Sequence, residues 1–522
     1  MALGEGMAGG PRARRHPGGT GTLLVLTLVG VLAAVTACSS WGSAGDEDDP
    51  GDRGAGEETA GEVPGAGVAR PTVTGPVTGG THDGPFNATP ERLAERYGYV
   101  EAEYFLEGEA TAYRPEGELS DDGRWAVTEA DAARYRTRII VRRPEDPGDF
   151  DGTVFVEWLN VTAGVDGDPG FGLTHPELLR HGSAYVGVSA QRAGVEGGGV
   201  LPVPGVEVQA LKKWDPQRYG DLNHPGDPYS YDIFSQAAQA IRRPGAVDAL
   251  DGLTARHVIA MGESQSAARL VTYVDAVHLA AGIYDGFLIH SRGGGGAPLE
   301  DDPNVLGEGV ARIRDDLGVP VLQYITETDL FGLLGFHRAE QDDSDTLRTW
   351  EVAGTAHADR AVLSYNAEMG RNVAGSGFDL AAQCGSINEG SQAHVLRAAL
   401  AALRAWVVDG DPPSAAPRLE VEGDAIARDE RGIARGGIRT PAVDAPVSVL
   451  TGEPPPGRSV ICSLFGDTRP FDAATLAELY PTHQDYVDAV TESADAAVSA
   501  GFLLRADADD IIAAAEGAAV PE

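Results

Sequence analysis

The rhythm of apolar and polar positions changes twice along this chain, separating a short apolar leader, a long polar stretch and an extended folded region. From about Tyr99 onward apolar residues recur at strand spacing. Tyr99 to Tyr113 and Arg134 to Arg143 alternate with period two, which predicts an antiparallel opening pair. The rhythm then shifts to compact apolar runs separated by helical patterns. Strands are predicted at Thr153 to Trp158, Ser183 to Ala190, His257 to Met261, Gly286 to His290, Pro320 to Ile325 and Thr349 to Ala353. Helices are predicted at His175 to His181, Ile233 to Arg242, Ser266 to Leu279 and Ser391 to Val408. Strand, helix, strand in succession implies a parallel sheet, and runs such as Val258-Ile259-Ala260-Met261 suit strands covered on both faces. The expectation is an α/β protein with an eight-stranded, mostly parallel sheet between two helical layers. Beyond residue 410, short strands and helices near Asp472 to Tyr480 and Tyr486 to Ala500 read as an appended C-terminal lobe.

The leader carries Arg12, Arg14 and Arg15 ahead of an apolar run from Leu23 to Val35, the pattern of an export signal. That run is shorter than the roughly 20 residues a membrane span needs. It ends in Val35-Thr36-Ala37-Cys38, similar to the lipobox of bacterial lipoproteins, which implies acylation of Cys38 and a membrane anchor outside the cytoplasm. The following stretch, rich in Gly, Ala, Asp and Glu, is too poor in apolar residues to fold and reads as a tether. The expected organisation is a leader at 1–38, a tether at 39–85, a catalytic domain at 86–410 and an α+β extension at 411–522 packed on the core. Apart from Cys38, only Cys384 and Cys462 remain; an oxidising compartment points to their pairing, with two buried thiols the alternative.

Charge narrows the partners. With 79 acidic and 40 basic residues the formal charge is −39, a field that repels nucleic acid. No Cys/His spacing suggests a metal site and no G-x-G-x-x-G follows a strand, so no cofactor is expected.

The chemistry concentrates at strand ends. Gly262-Glu263-Ser264-Gln265-Ser266 lies where a predicted strand turns into a helix, the setting of a nucleophile elbow. The residues two positions either side of the serine must be small there, and Gly262 and Ser266 are. A serine hydroxyl needs a base, and in this architecture the acid and the histidine follow in that order. His357, directly after the last strand, is the expected base, whereas His337, His394 and His483 fall in or beside predicted helices. Thr326-Glu327-Thr328-Asp329 offers two acids, with Asp329 preferred because it lies further into the loop and Glu327 the alternative. The oxyanion donors are expected to be the backbone N–H of Gln265 and one near Leu159 or Asn160. Glu263, Arg292 and Gly293 border the expected substrate pocket, with Arg292 a partner for a substrate carboxylate or for one of the protein's own acids. Two long connections, Arg192 to Tyr229 and Gly293 to Gly318, leave strand ends where α/β sheets bind ligands.

Together Phe155 to Thr162, Gly262 to Ser266, Thr326 to Asp329, Gly354 to Asp359 and Leu464-Phe465-Gly466 resemble the alpha/beta hydrolase domain proteins, a family of secreted bacterial serine hydrolases. The resemblance implies an α/β-hydrolase fold and serine hydrolase activity but no substrate; a small-molecule ester is expected because a Ser-His-acid arrangement serves esters more often than other bonds. An acyltransferase on the same residues and a non-catalytic solute-binding lipoprotein are the competing readings.

Overall fold

The computed structural model describes residues 64–82, 84–89, 96–198, 209–301, 309–366 and 380–521. Cys38 and the leader lie outside them. Residues Glu62–Glu522 form one compact unit.

Among the described residues a nine-stranded sheet organises the fold: β1 (Thr72–Thr74), β2 (Tyr99–Pro115), β3 (Val127–Pro144), β4 (Thr153–Trp158), β5 (Ala184–Val188), β6 (His257–Glu263), β7 (Gly286–His290), β8 (Val321–Thr326) and β9 (Leu347–Val352). Their spatial order is β1-β2-β3-β5-β4-β6-β7-β8-β9. From β5 to β9 every pairing is parallel, while β1, β2 and β3 join antiparallel. The strand order reverses across the sheet between β4 and β6, so the carboxyl ends of these two strands meet at a topological switch point, where α/β sheets place their ligand sites.

Side chains of one strand serve opposite layers because Cβ atoms alternate across the pleat. Val154, Val156 and Trp158 of β4 pack with Ile233, Phe234 and Leu270, which belong to α2 (Ser230–Arg242) and α3 (Gln265–Thr272). Phe155 faces the other way, toward Phe171 of α1 (Pro169–Arg180) and Leu396 of α4 (Gln392–Asp409). Glu157, also on that face, is fully buried. Its carboxylate accepts from Gly170 N at 2.8 Å, Phe171 N at 2.9 Å and Tyr185 Oη at 2.8 Å, satisfying orphan donors at the start of α1. Burial, with Asp168 nearby, pushes its pKa up to about 8.

Two expectations are revised. The sheet has nine strands rather than eight, because Thr72–Thr74 pairs with Phe105–Glu107. The expected tether therefore does not run to residue 85: Val73 is buried, and Gln239 Nε2 donates to Gly65 O and Val68 O at 3.0 and 2.8 Å. The C-terminal segment beyond residue 410 lies in the same compact unit and packs on the core. Ile438 bridges to Val352, Ile438 N donates to Glu351 O at 2.7 Å, and Ala353 N donates to Ile438 O at 3.0 Å, so the C-terminal segment extends hydrogen bonding beyond the end of β9.

Candidate active site

The site starts from a strained turn. Ser264 sits between β6 and α3 with φ 58° and ψ −117°, a region costing a non-glycine residue about 1–3 kcal/mol. Its surroundings hold it there. Ser264 N donates to His290 O at 2.9 Å, and Ser264 O accepts from Ala268 N at 3.0 Å. A Cβ on Gly262 would meet the backbone of Ser266 and the Leu270 side chain at 3.1 Å, so glycine is what lets strand and helix approach.

The turn lifts the hydroxyl toward His357. Ser264 Oγ and His357 Nε2 are 2.8 Å apart, and His357 Nδ1 and Asp329 Oδ1 are 2.7 Å apart. Burial disfavours charge on the imidazole, but the Asp329 hydrogen bond and charge, and then the Glu263 charge, outweigh it, so its pKa lies above the ordinary value. Asp329 belongs to a short helix, Glu327–Leu330. Its other oxygen accepts from Thr326 N and Thr326 Oγ1 at 2.7 and 2.8 Å, forming a capping box that fixes the carboxylate.

Glu327 takes a different position. It accepts from Gly354 N at 2.6 Å, Gly452 N at 3.0 Å and Arg428 Nη2 at 2.9 Å, so it ties the turn after β8 to the His357 loop and the C-terminal segment. Of the two acids offered by the sequence, only Asp329 touches His357.

The loop carrying His357 is stitched from several sides. His357 N donates to Thr328 Oγ1 at 3.2 Å, Gln392 Nε2 donates to His357 O at 3.3 Å, and Ala358 N donates to Leu464 O at 3.0 Å. Asn388 Nδ2 donates to Gly354 O and Thr451 O, both at 3.1 Å. Cys384 and Cys462 form a disulfide with Cα atoms 5.3 Å apart, joining the segment before Asn388 to the one that supplies Leu464. Asn388, Gln392 and Arg428 carried no sequence signal, since their partners lie tens of residues away; Thr326, three residues before Asp329, did fit a cap pattern.

The oxyanion expectation divides. Gln265 N, at the first position of α3, has no acceptor among the described residues and is free to donate. The two N–H groups proposed opposite it are committed: Leu159 N donates to Val188 O at 3.2 Å and Asn160 N to Gly167 O at 2.9 Å. The Asn160 side chain instead donates to Glu263 O at 3.0 Å and Glu263 Oε2 at 2.9 Å. Val161 N is the first N–H beyond β4 without an acceptor among the described residues.

Of the three residues expected to border the pocket, Arg292 sits differently than expected. Arg292 is fully buried and donates to backbone oxygens of Gly293 at 2.9 Å and of Ala311, and to Gln323 Oε1 at 3.1 Å, so it braces the loop after β7 rather than meeting a substrate carboxylate. Burial pulls its pKa down to about 10, with Asp275 opposing. Gly293 packs against the Leu334 backbone, whose oxygen would be 3.0 Å from an added Cβ. Glu263 turns its carboxylate inward, toward Asn160 and His357. Among the described residues no group of three or more His, Cys, Asp or Glu side chains is placed to hold a metal ion.

The chain belongs to the alpha/beta hydrolase domain family, whose profile matches residues 73–513. No curated protein matches it. Solved structures similar to it include the α/β serine hydrolase XC6422 from Xanthomonas campestris, described as lacking a lid, at 11% identity over 51% of this chain and 94% of that one, with a TM-score of 0.26. A cold-adapted esterase from an Arctic intertidal metagenomic library is 12% identical over 53% of this chain and 91% of that one, with a TM-score of 0.26. A glucuronoyl esterase from Solibacter usitatus is 9% identical over 49% and 76%, with a TM-score of 0.25. None of these likenesses bears on the site chemistry.

The separate positions of the two acids yield a test. Glu327→Gln is expected to lower unfolding free energy by about 1–3 kcal/mol, because the amide cannot serve every donor the carboxylate accepts and leaves Arg428 without its fully buried ionic partner. Urea denaturation of the purified variant checks this; unchanged stability would remove Glu327 from the tie.

Proposed function

We propose that the protein is a serine hydrolase that cleaves carboxylic esters through an acyl-enzyme on Ser264. What supports this is one unbroken hydrogen-bonded chain, Ser264 Oγ to His357 Nε2 at 2.8 Å and His357 Nδ1 to Asp329 Oδ1 at 2.7 Å, at the turn after β6. In the first half-reaction Ser264 Oγ attacks the acyl carbon while His357 Nε2 takes the hydroxyl proton, and Asp329 stabilises the imidazolium without taking the proton. The carbonyl oxygen becomes an oxyanion that receives hydrogen bonds from Gln265 N and, from the loop beyond β4, Val161 N. Collapse breaks the bond to the leaving alcohol, and His357 returns the proton to its oxygen. Water repeats the sequence in the second half-reaction, with His357 again the base, and releases the carboxylic acid and free Ser264.

The enzyme works outside the cytoplasm, anchored through acylated Cys38. The leader pattern ending in that cysteine and the Cys384–Cys462 pair both suit an oxidising, extracytoplasmic setting. In cells fed a radiolabelled fatty acid, the full-length chain is expected to carry label that Cys38→Ser loses; label retained in the variant would place any acylation elsewhere.

A fluorophosphonate probe is expected to label Ser264 covalently in the purified protein and to leave Ser264→Ala unlabelled. In a panel of small esters, Asp329→Asn is expected to reduce kcat by about 10⁴-fold, the scale of losing the correct imidazole tautomer. Labelling that survives Ser264→Ala would sink the reading.

The base must be neutral to act, and His357 has a pKa raised above its ordinary 6.5. The imidazolium therefore persists to higher pH than in a free histidine. The acidic limb of kcat/KM is expected to have its midpoint above 6.5; a pH profile with the midpoint below that value would contradict the environment described for the imidazole.

A further inference from the structure

The residue immediately before the nucleophile brings a second carboxylate to the same imidazole. Glu263 closes β6, and its side chain is held by two neighbours. Oε2 accepts from Asn160 Nδ2 at 2.9 Å, while Oε1 lies 3.6 Å from His357 Nε2, the nitrogen that also meets Ser264 Oγ. His357 thus has Asp329 at one ring nitrogen and Glu263 at the other.

The two carboxylates are not equivalent. Asp329 faces the imidazole with one oxygen while two donors from Thr326 fix the other, so its orientation is set by the fold. Glu263 has one neutral donor and is nearly fully buried. Burial pushes its pKa up to about 7, the charge of His357 opposing and that of Asp329 adding to the rise. The remaining ionisable group facing it is His290, opposite Glu263 in the β6–β7 register, which burial pulls down to about 3 and keeps neutral. No arginine or lysine pairs with Glu263 among the described residues.

During acyl transfer the proton that leaves Ser264 resides on His357 Nε2, close to the Glu263 carboxylate. We propose that Glu263, steered by the Asn160 amide, is a positioning residue for His357 that stabilises the imidazolium at Nε2 and so sets the pH at which Ser264 becomes nucleophilic. No bond forms to Glu263. The proton passes from Ser264 Oγ to Nε2 and on to the leaving oxygen, and the nearby negative charge only makes its stay on Nε2 more favourable. Below its own pKa Glu263 is neutral and this support is withdrawn. The two sites are close enough to titrate as a coupled pair.

The inference rests on the serine hydrolase reading, and the experiment separates the two. The probe is a fluorophosphonate, and the readout is the second-order rate constant of Ser264 labelling in the purified protein as a function of pH. Glu263→Gln keeps the side-chain length and an acceptor for Asn160 but removes the charge. Its acidic limb is expected to fall by about one pH unit, the scale on which a nearby opposite charge raises a pKa. Glu263→Asp keeps the charge and withdraws it by one methylene, so its limb should fall by less; it serves alone if the glutamine variant does not fold. An acidic limb that stays in place in a folded variant overturns the proposal, including the case in which only the melting temperature drops, which would leave Glu263 a packing residue. Wild-type protein that does not label at any pH overturns the Ser264 assignment and this inference with it.

Discussion

A single ring has to satisfy two partners pulling from opposite sides. His357 reaches Asp329 with one nitrogen and Ser264 with the other, at 2.7 and 2.8 Å, and the three residues come from the ends of three different strands. In the proposed reaction a displacement of about 1 Å in any one of them is enough to cost two orders of magnitude in rate, so the loops cannot be merely adjacent. The structure meets the demand with separate devices. The strained turn at φ 58° positions the serine, a capping box fixes the aspartate, and hydrogen bonds with Thr328, Gln392 and Leu464 fix the backbone around the histidine.

The last of these devices ties the C-terminal segment to the site. Arg428, Gly452, Leu464 and Cys462 all act within a few bonds of the His357 loop, and Glu327 is the junction through which two of them reach the end of β8. An acid in the position of Glu327 is therefore committed to holding strands and loop together. Because Glu327 and Asp329 are separated by one residue in a helical turn, their side chains diverge, and only one can face His357.

How much of this the sequence disclosed follows from the range of the interactions. The apolar runs of β4 to β9 are dictated by burial on both faces and read directly from the pattern, as does the small-x-Ser-x-small turn, whose steric requirement is local. Thr72–Thr74 was hidden because three edge residues carry no periodicity, and only Val73 is buried. Backbone hydrogen bonding is likewise invisible in residue types: nothing in Leu159-Asn160 says that their N–H groups answer to Val188 and Gly167. Arg292 was misleading for a related reason, since a guanidinium beside a pocket and one wrapped in carbonyl oxygens have the same letter.

Charge burial links the fold to the chemistry. The chain carries a formal charge of −39, yet it encloses arginines and pairs most of them: Arg138 with Asp166 at 3.1 Å, Arg142 with Asp168 at 2.7 Å and Arg269 with Asp227 at 2.9 Å. Those pairs satisfy groups whose isolation in the interior would be prohibitive. Around the candidate site the solution differs. No arginine approaches Ser264, Glu263 or Asp329 within ion-pair distance among the described residues, and the two carboxylates share one imidazole instead. A guanidinium there would compete for Asp329 and lower the basicity of His357, because a fixed cation disfavours a second one beside it. Leaving the imidazole as the only group that can become cationic between two acids keeps the local charge free to change as a proton moves, which is the property a general base requires.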